Sequence, residues 1–272
     1  MLCNWYTLNK IVWTISLKNM TENNDKKAIK LKKAYKNLEF LNSKDARTIR
    51  ILAEYLYPKA QLEKKGVQNT IVIFGSARAP SPEELETSKE ERGKLAKYYN
   101  YTRELTAKLS KWAKALEENE QTYVVCSGGG PGIMMAANRG AHDEDAKNIA
   151  FTISLPKENI PNPYATPDLN FEFHYFFTRK FWFSYLAKAL IVMPGGFGTL
   201  DELFEILTLI QTGKINKKLP IVLFGKDYWQ KLINFDVLVE FGTINKKDLD
   251  LFFLTSSVDD AFEFITSSLT NK

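Results

Sequence analysis

Two kinds of residue in this sequence could do chemistry together: glycines massed in two loops, and a carboxylate set just behind one of them. The first loop is Pro194-Gly195-Gly196-Phe197-Gly198, followed by Thr199, Leu200, Asp201 and Glu202. The second is Ser127-Gly128-Gly129-Gly130-Pro131-Gly132. A glycine loop that runs from a buried strand into a helix aims bare backbone N–H groups and the positive end of a helix dipole at one spot. That spot suits a phosphate. Glu202, held beside such a loop, is placed for acid–base work. It has a second reading, because Thr199-x-x-Glu202 is also a capping box in which the glutamate only secures a helix start. The two readings are compatible.

Cations lie upstream. Arg179 and Lys180 stand near the start of an aromatic-rich helix, the wrong end for positive charge on dipole grounds. Their placement points to an anionic partner, with pairing to surface acids as the alternative. Gly75-Ser76-Ala77-Arg78 directly follows another buried strand. Its small residues let the backbone approach a ligand, and Arg78 is either a phosphate contact or a surface residue. His174 is one of only two histidines and reads as structural. Cys3 and Cys126 form neither a disulfide framework nor a metal-ligand spacing, so a reducing cytoplasm and no metal are expected.

These residues need a scaffold, and the apolar pattern supplies one. Short apolar runs at Thr70–Phe74, Tyr123–Cys126, Ile149–Leu155, Ala189–Met193, Leu219–Phe224 and Leu251–Leu254 have the length of buried strands. Between them, helices are expected over Ile133–Ala141, from about Thr178, from Thr199, over Lys226–Phe241 and over Val258–Leu269. The helix from Thr199 carries Leu200, Leu203, Phe204, Leu207 and Ile210 at helical spacing. One or two more helices are expected in Pro80–Glu120. Asp45–Lys65 also reads as helical, with Pro58 bending or interrupting it. The alternation implies an α/β fold: a Rossmann-like, doubly wound parallel sheet with helices on both faces, plus an N-terminal helical arm. The expected division is an arm over 1–66 and a single nucleotide-binding domain over 67–272. In such a sheet both glycine loops open at the same carboxyl edge, where ligands bind. Neither loop is a P-loop, since no Gly-Lys-Ser/Thr follows, and no dinucleotide fingerprint is present. A mononucleotide fits better.

Composition bounds the rest. The 272 residues are 44% hydrophobic and 25% charged, ordinary for a globular protein. Residues 1–66 carry 14 Lys and Arg against 6 Asp and Glu, whereas the whole chain has a net charge of +5. The basic character therefore sits in the arm, not around the glycine loops. Without aromatic interleaving it reads as a solvated helical face, and no nucleic-acid partner is expected. The apolar run Ile11–Leu17 is too short to span a membrane and lacks a signal-peptide cleavage pattern, so no membrane partner is expected either. Residues 1–19 read as an upstream extension, with Met20 as an alternative start.

Taken in order and spacing, GGGPGIMMAANRGA, FFTRK and PGGFGTLDE resemble the LOG (Lonely Guy) family, in its longer bacterial branch. The likeness runs from about Asp45 to Thr266. Relatives are often labelled lysine decarboxylases, although nothing in this sequence marks a pyridoxal phosphate site. The resemblance implies an enzyme: a nucleoside 5′-monophosphate phosphoribohydrolase that cleaves the N-glycosidic bond of a cytokinin riboside 5′-monophosphate or AMP. The alternative is a non-catalytic nucleotide-binding or carrier protein of the same fold. The resemblance further implies Arg179 and Glu202 as the catalytic pair. It places Lys180, Gly195, Gly196, Phe197, Gly198, Thr199 and Asp201 against the nucleotide, with Thr208 lining the site and Glu158 reaching the ligand. Gly128, Gly129, Gly130, Gly132, Gly75 and Ser76 complete the expected substrate-binding set. No cofactor is implied. A homodimer or higher homo-oligomer is, with the aromatic segment Phe176–Tyr185 as a candidate contact. Thr178 and Met135 depart from the residues usual in relatives at those positions.

Overall fold

The computed structural model describes residues 31–87, 93–116, 122–155 and 162–270. The run Ile11–Leu17, Met20 and Glu158 lie outside them. The chain separates into two units, one ending at Arg50 and the other beginning at Ile51. In the first, a short helix α1 (Leu38–Asn42) is capped by Asn37, whose side chain accepts from the Phe40 N–H at 3.3 Å. Arg50 Nη1 donates to the carbonyls of Leu41 and Ser43, both at 2.6 Å.

Helix α2 (Arg47–Lys64) leads into β1 (Thr70–Phe74). There follow α3 (Pro82–Thr87), α4 (Gly93–Ala115), β2 (Val124–Ser127), α5 (Ile133–Asp143), β3 (Asn148–Ile153) and β4 (Asn170–Phe173). Next come α6 (Phe176–Tyr185), β5 (Ala187–Val192), α7 (Phe197–Gln211), β6 (Ile221–Phe224), α8 (Lys226–Leu232) and α9 (Phe235–Glu240). The chain finishes on β7 (Phe253–Thr255) and α10 (Val258–Thr270). Among the described residues, seven strands form one sheet in the order β4-β3-β2-β1-β5-β6-β7, every pairing parallel. This is the expected α/β doubly wound sheet. Strand β1 matches its apolar run end to end.

The central strands β2, β1, β5 and β6 are buried on both faces, which is why they read as continuous apolar runs, whereas the edge strand β4 alternates exposed and buried residues. On β1, Ile71 and Ile73 enter a core with Leu105 and Leu109 of α4, Ile133 of α5 and Ile265 of α10. Val72 and Phe74 enter the opposite core, with Leu62 of α2, Trp182 and Phe183 of α6, Leu203 of α7 and Trp229 of α8. The strand order grows outward from β1 in one direction and from β5 in the other. The crevice beyond the carboxyl ends of β1 and β5 is therefore the topological switch point, where sheets of this type take ligands.

Three sequence expectations need correction. Pro58 does not interrupt its helix: α2 runs from Arg47 to Lys64 with Pro58 buried inside it. Helix α6 begins at Phe176, two residues before the expected Thr178. The expected single helix over Lys226–Phe241 is two, α8 and α9, because the chain turns extended at Ile233 and Asn234. Among the described residues, no helix is long and apolar enough to cross a membrane.

Candidate active site

A cleft of about 1110 Å³ lies over the switch point. Three loops close it: Gly75–Arg78 after β1, Gly128–Pro131 after β2 and Gly195–Thr199 leading into α7. Backbone hydrogen bonds tie these loops together. Ser76 N–H donates to the Pro194 carbonyl at 3.0 Å, and Ile133 N–H donates to the Ser76 carbonyl at 3.0 Å. The contacts demand glycine at specific points. At Gly132, with φ +66, a Cβ would stand 2.4 Å from the Ser76 carbonyl oxygen. At Gly195 it would stand 2.1 Å from Thr199 Oγ1. Gly196 and Gly198 differ: a Cβ there meets nothing within 4 Å, so their lack of a side chain leaves open space in the cleft.

Helix α7 starts at Phe197, with Gly196 as N-cap and no side-chain cap. Its first backbone N–H groups therefore face the cleft without intrahelical acceptors. This overturns the capping-box reading of Glu202. Thr199 is the third helical residue, not the N-cap, so Glu202 lies beyond the position from which a side chain reaches back. The helix starts early because Phe197 and Gly198 continue it backwards. Phe197, 91% exposed, stands at the rim of the cleft.

Glu202 is 8% exposed and lines the cleft. Burial holds its carboxyl above the usual carboxylate range; Lys180 and Arg179 pull it back down, while Glu205 and Asp201 push it up. Lys180 of α6 is the hinge of this cluster. Its Nζ lies 2.6 Å from Glu205 Oε2, 2.9 Å from Asp201 Oδ2 and 3.5 Å from Glu202 Oε2. Burial alone would lower the ammonium, but its hydrogen bonds to Glu205 and Asp201 outweigh that and raise it. Arg179 lines the cleft, with Nε donating to the Phe151 carbonyl at 2.8 Å and its guanidinium 5.1 Å above the Phe183 ring. Gly128 makes room for it, since a Cβ there would approach Arg179 Nη2 at 2.7 Å.

The structure thus brings Gly75, Ser76, Gly128, Gly129, Gly130, Arg179, Gly195, Gly196, Phe197, Gly198, Thr199, Asp201 and Glu202 to one cleft. Gly132 stands just behind it as the N-cap of α5. Two expected ligand contacts are placed elsewhere. Lys180 is engaged by three carboxylates and is not among the cleft-lining residues, because α6 turns it toward α7. The Thr208 hydroxyl donates to the Phe204 carbonyl at 2.7 Å, within its own helix and away from the cleft. His174 contributes its backbone N–H to Glu54, in keeping with a structural part. Tyr228 of α8 lines the cleft without having been signalled by any motif. Its hydroxyl donates to the Gly195 carbonyl at 2.6 Å, steadying the loop ahead of α7. Among the described residues, no group of three or more His, Cys, Asp or Glu side chains is arranged to hold a metal ion.

Fold and cleft together define a Rossmann-like α/β protein with a glycine-lined crevice at its switch point. Residues 134–265 match the family model described as "Possible lysine decarboxylase". The relatives bear out the LOG resemblance. The chain is 32% identical over 157 residues to the "Probable cytokinin riboside 5′-monophosphate phosphoribohydrolase LOG4" of Oryza sativa subsp. japonica, covering 56% of this chain and 64% of that protein. It is 28% identical over 154 residues to the "Pyrimidine/purine nucleotide 5′-monophosphate nucleosidase" of Escherichia coli (strain K12), covering 45% of this chain and 32% of that protein. The chain therefore spans less than two thirds of the length of these curated relatives. Among solved structures, the molybdenum cofactor carrier protein of Chlamydomonas reinhardtii superposes with a TM-score of 0.49 at 15% identity, covering 74% of this chain and 98% of that one.

Proposed function

We propose that this protein hydrolyses the N-glycosidic bond of a nucleoside 5′-monophosphate, releasing the free base and ribose 5-phosphate. The observation that carries the reading is the buried carboxylate of Glu202, just behind an uncapped helix start and in the same cleft as Arg179. The named activities of the rice and Escherichia coli relatives support it.

In this reading the 5′-phosphate sits at the N-terminus of α7, over the space left by Gly196 and Gly198. Held there, it supplies remote binding energy that positions the sugar. Phe197 to Glu202 spans five residues, a rise of about 7.5 Å along the helix, so a carboxylate follows the phosphate site deeper in the cleft. Breaking the C1′–N bond builds positive charge on the sugar, as in glycoside hydrolysis. Glu202 faces that charge and accepts a proton from the attacking water. The water oxygen bonds to C1′, the electron pair of the broken bond leaves with the base, and the base takes up a proton. Burial makes Glu202 a stronger base than an exposed carboxylate, and the Lys180 ammonium counters part of that rise. Arg179 stays protonated at any ordinary pH, so it is no proton donor; it orients Glu202 and the ligand.

A cytokinin riboside 5′-monophosphate and AMP are the proposed substrates, and the cytoplasm the proposed compartment. The test is release of free base from a panel of nucleoside 5′-monophosphates and their nucleosides, separated by chromatography. The monophosphates should be cleaved and the nucleosides left nearly untouched. Equal turnover of AMP and adenosine would overturn the phosphate assignment. Tight binding of monophosphates with no base released would make the protein a carrier.

A further inference from the structure

Helix α6 carries both Arg179 and Lys180, yet no side chain of its own caps it. Its start is held from α2 instead, by Glu54. Glu54 Oε1 accepts from the His174 N–H at 2.8 Å, and Oε2 accepts from the Tyr175 N–H at 3.3 Å. The Thr178 hydroxyl lies 2.5 Å from Oε2 and 2.7 Å from the Tyr175 carbonyl. With a single proton to give, it favours the charged acceptor. The backbone of Glu54 is engaged as well. Pro58, four residues on, has no N–H, so the Glu54 carbonyl loses its helical donor. The Trp182 indole fills the gap, with Nε1 donating to the Glu54 carbonyl at 3.1 Å. Glu54 thus binds α6 at its start and, through Trp182, one turn further along. Arg179 lies between the two attachments.

We infer that Glu54 is a positioning residue for the reaction proposed above, fixing the register of α6 so that Arg179 faces the cleft and Lys180 faces α7. The inference rests on that functional reading. It concerns a residue far outside the family match over 134–265. Glu54 touches neither the glycine loops nor the cleft. Loosening it should therefore spoil the alignment of Arg179 and leave phosphate binding intact.

The experiment combines steady-state kinetics on a cleaved monophosphate with amide hydrogen exchange, for wild type, Glu54→Gln, Thr178→Val and Thr178→Ser. Thr178→Val keeps the volume of a buried side chain and guards against a Glu54 variant that does not fold. Glu54→Gln, whose amide sets donors against donors, should lower kcat about tenfold or more with KM within about twofold. Thr178→Val should lower kcat several-fold, and Thr178→Ser should restore it. The peptide spanning residues 174–183 should exchange faster in Glu54→Gln, while that of residues 197–211 stays unchanged. Unchanged exchange in 174–183 would overturn the anchoring. Faster exchange with wild-type kcat, or a loss expressed only in KM or only in melting temperature, would overturn the positioning role. A wild-type protein that releases no base would sink the proposed reaction, whereas the exchange data would still decide the anchor.

Discussion

Replacing Lys180 with methionine isolates the electrostatics of the site. Methionine keeps an unbranched side chain of similar length but removes the ammonium that three carboxylates share. At the observed 3.5 Å from Glu202, a unit charge at an effective dielectric of about 20 is worth at most ~5 kcal/mol, or roughly 3.5 pKa units. Water entering the gap offsets part of this, while the unbalanced charges of Asp201 and Glu205 add to it. A rise of about 1 to 3 units is the expected range. The wild-type carboxyl already stands above its ordinary value, so the variant should stay protonated further into the neutral range. The acidic limb of the kcat/KM profile should then move up by that amount, with activity recovering at higher pH. The substrate phosphate titrates identically in both enzymes and cancels from the comparison. Stability should follow the same sign. An acid whose folded pKa is raised costs nothing while protonated in both states. It costs stability increasingly as pH climbs from the unfolded pKa to the folded one. Lys180→Met should therefore lose more melting temperature at pH 8 than at pH 4. Glu205→Gln, which removes a like charge, should move the limb the other way. Superimposable limbs for wild type and Lys180→Met would refute the reasoning.

Three further outcomes are expected. Glu202→Gln should fold normally, since the side chain caps nothing, and turnover should fall by about two orders of magnitude or more while monophosphate still binds. Wild-type hydrolysis by that variant would remove Glu202 from the mechanism. Gly198→Ala adds a Cβ into open space at a helical position, so melting temperature should hold or rise while KM for the monophosphate increases. Gly195→Ala, driven against Thr199, should instead destabilise the fold, and thermal melts of the two variants separate these effects. Finally, Phe177, Phe181 and Tyr185 are exposed on α6 while Trp182 and Phe183 of the same helix are buried, an apolar face suited to a second copy of the chain. Sedimentation at micromolar concentration should give the mass of a dimer; a monomer mass would count against that face as a contact.

Much of this protein is local information. The apolar runs that became β1, β2, β3, β5 and β6 are legible because a strand buried on both faces needs no alternation, only length and bounding turns. The glycine loops are legible because close backbone approach, as at Gly132 and Gly195, excludes every larger side chain. Those two signals fix a parallel α/β sheet and the edge at which a ligand binds. What they leave open depends on which segments the topology brings together. Lys180 reads as a ligand contact from sequence, yet three carboxylates from the helix after the next strand claim it, and only the docking of α6 on α7 decides that. Thr199 and Glu202 match a capping box by spacing, but spacing does not say where a helix starts, and the N-cap of α7 lies three residues earlier, at Gly196. Helix α6 likewise begins ahead of its apparent start, where Glu54 supplies acceptors from 120 residues away. Charge pairing and remote capping act over ångströms, not along the chain, so the tertiary fold alone could choose their partners.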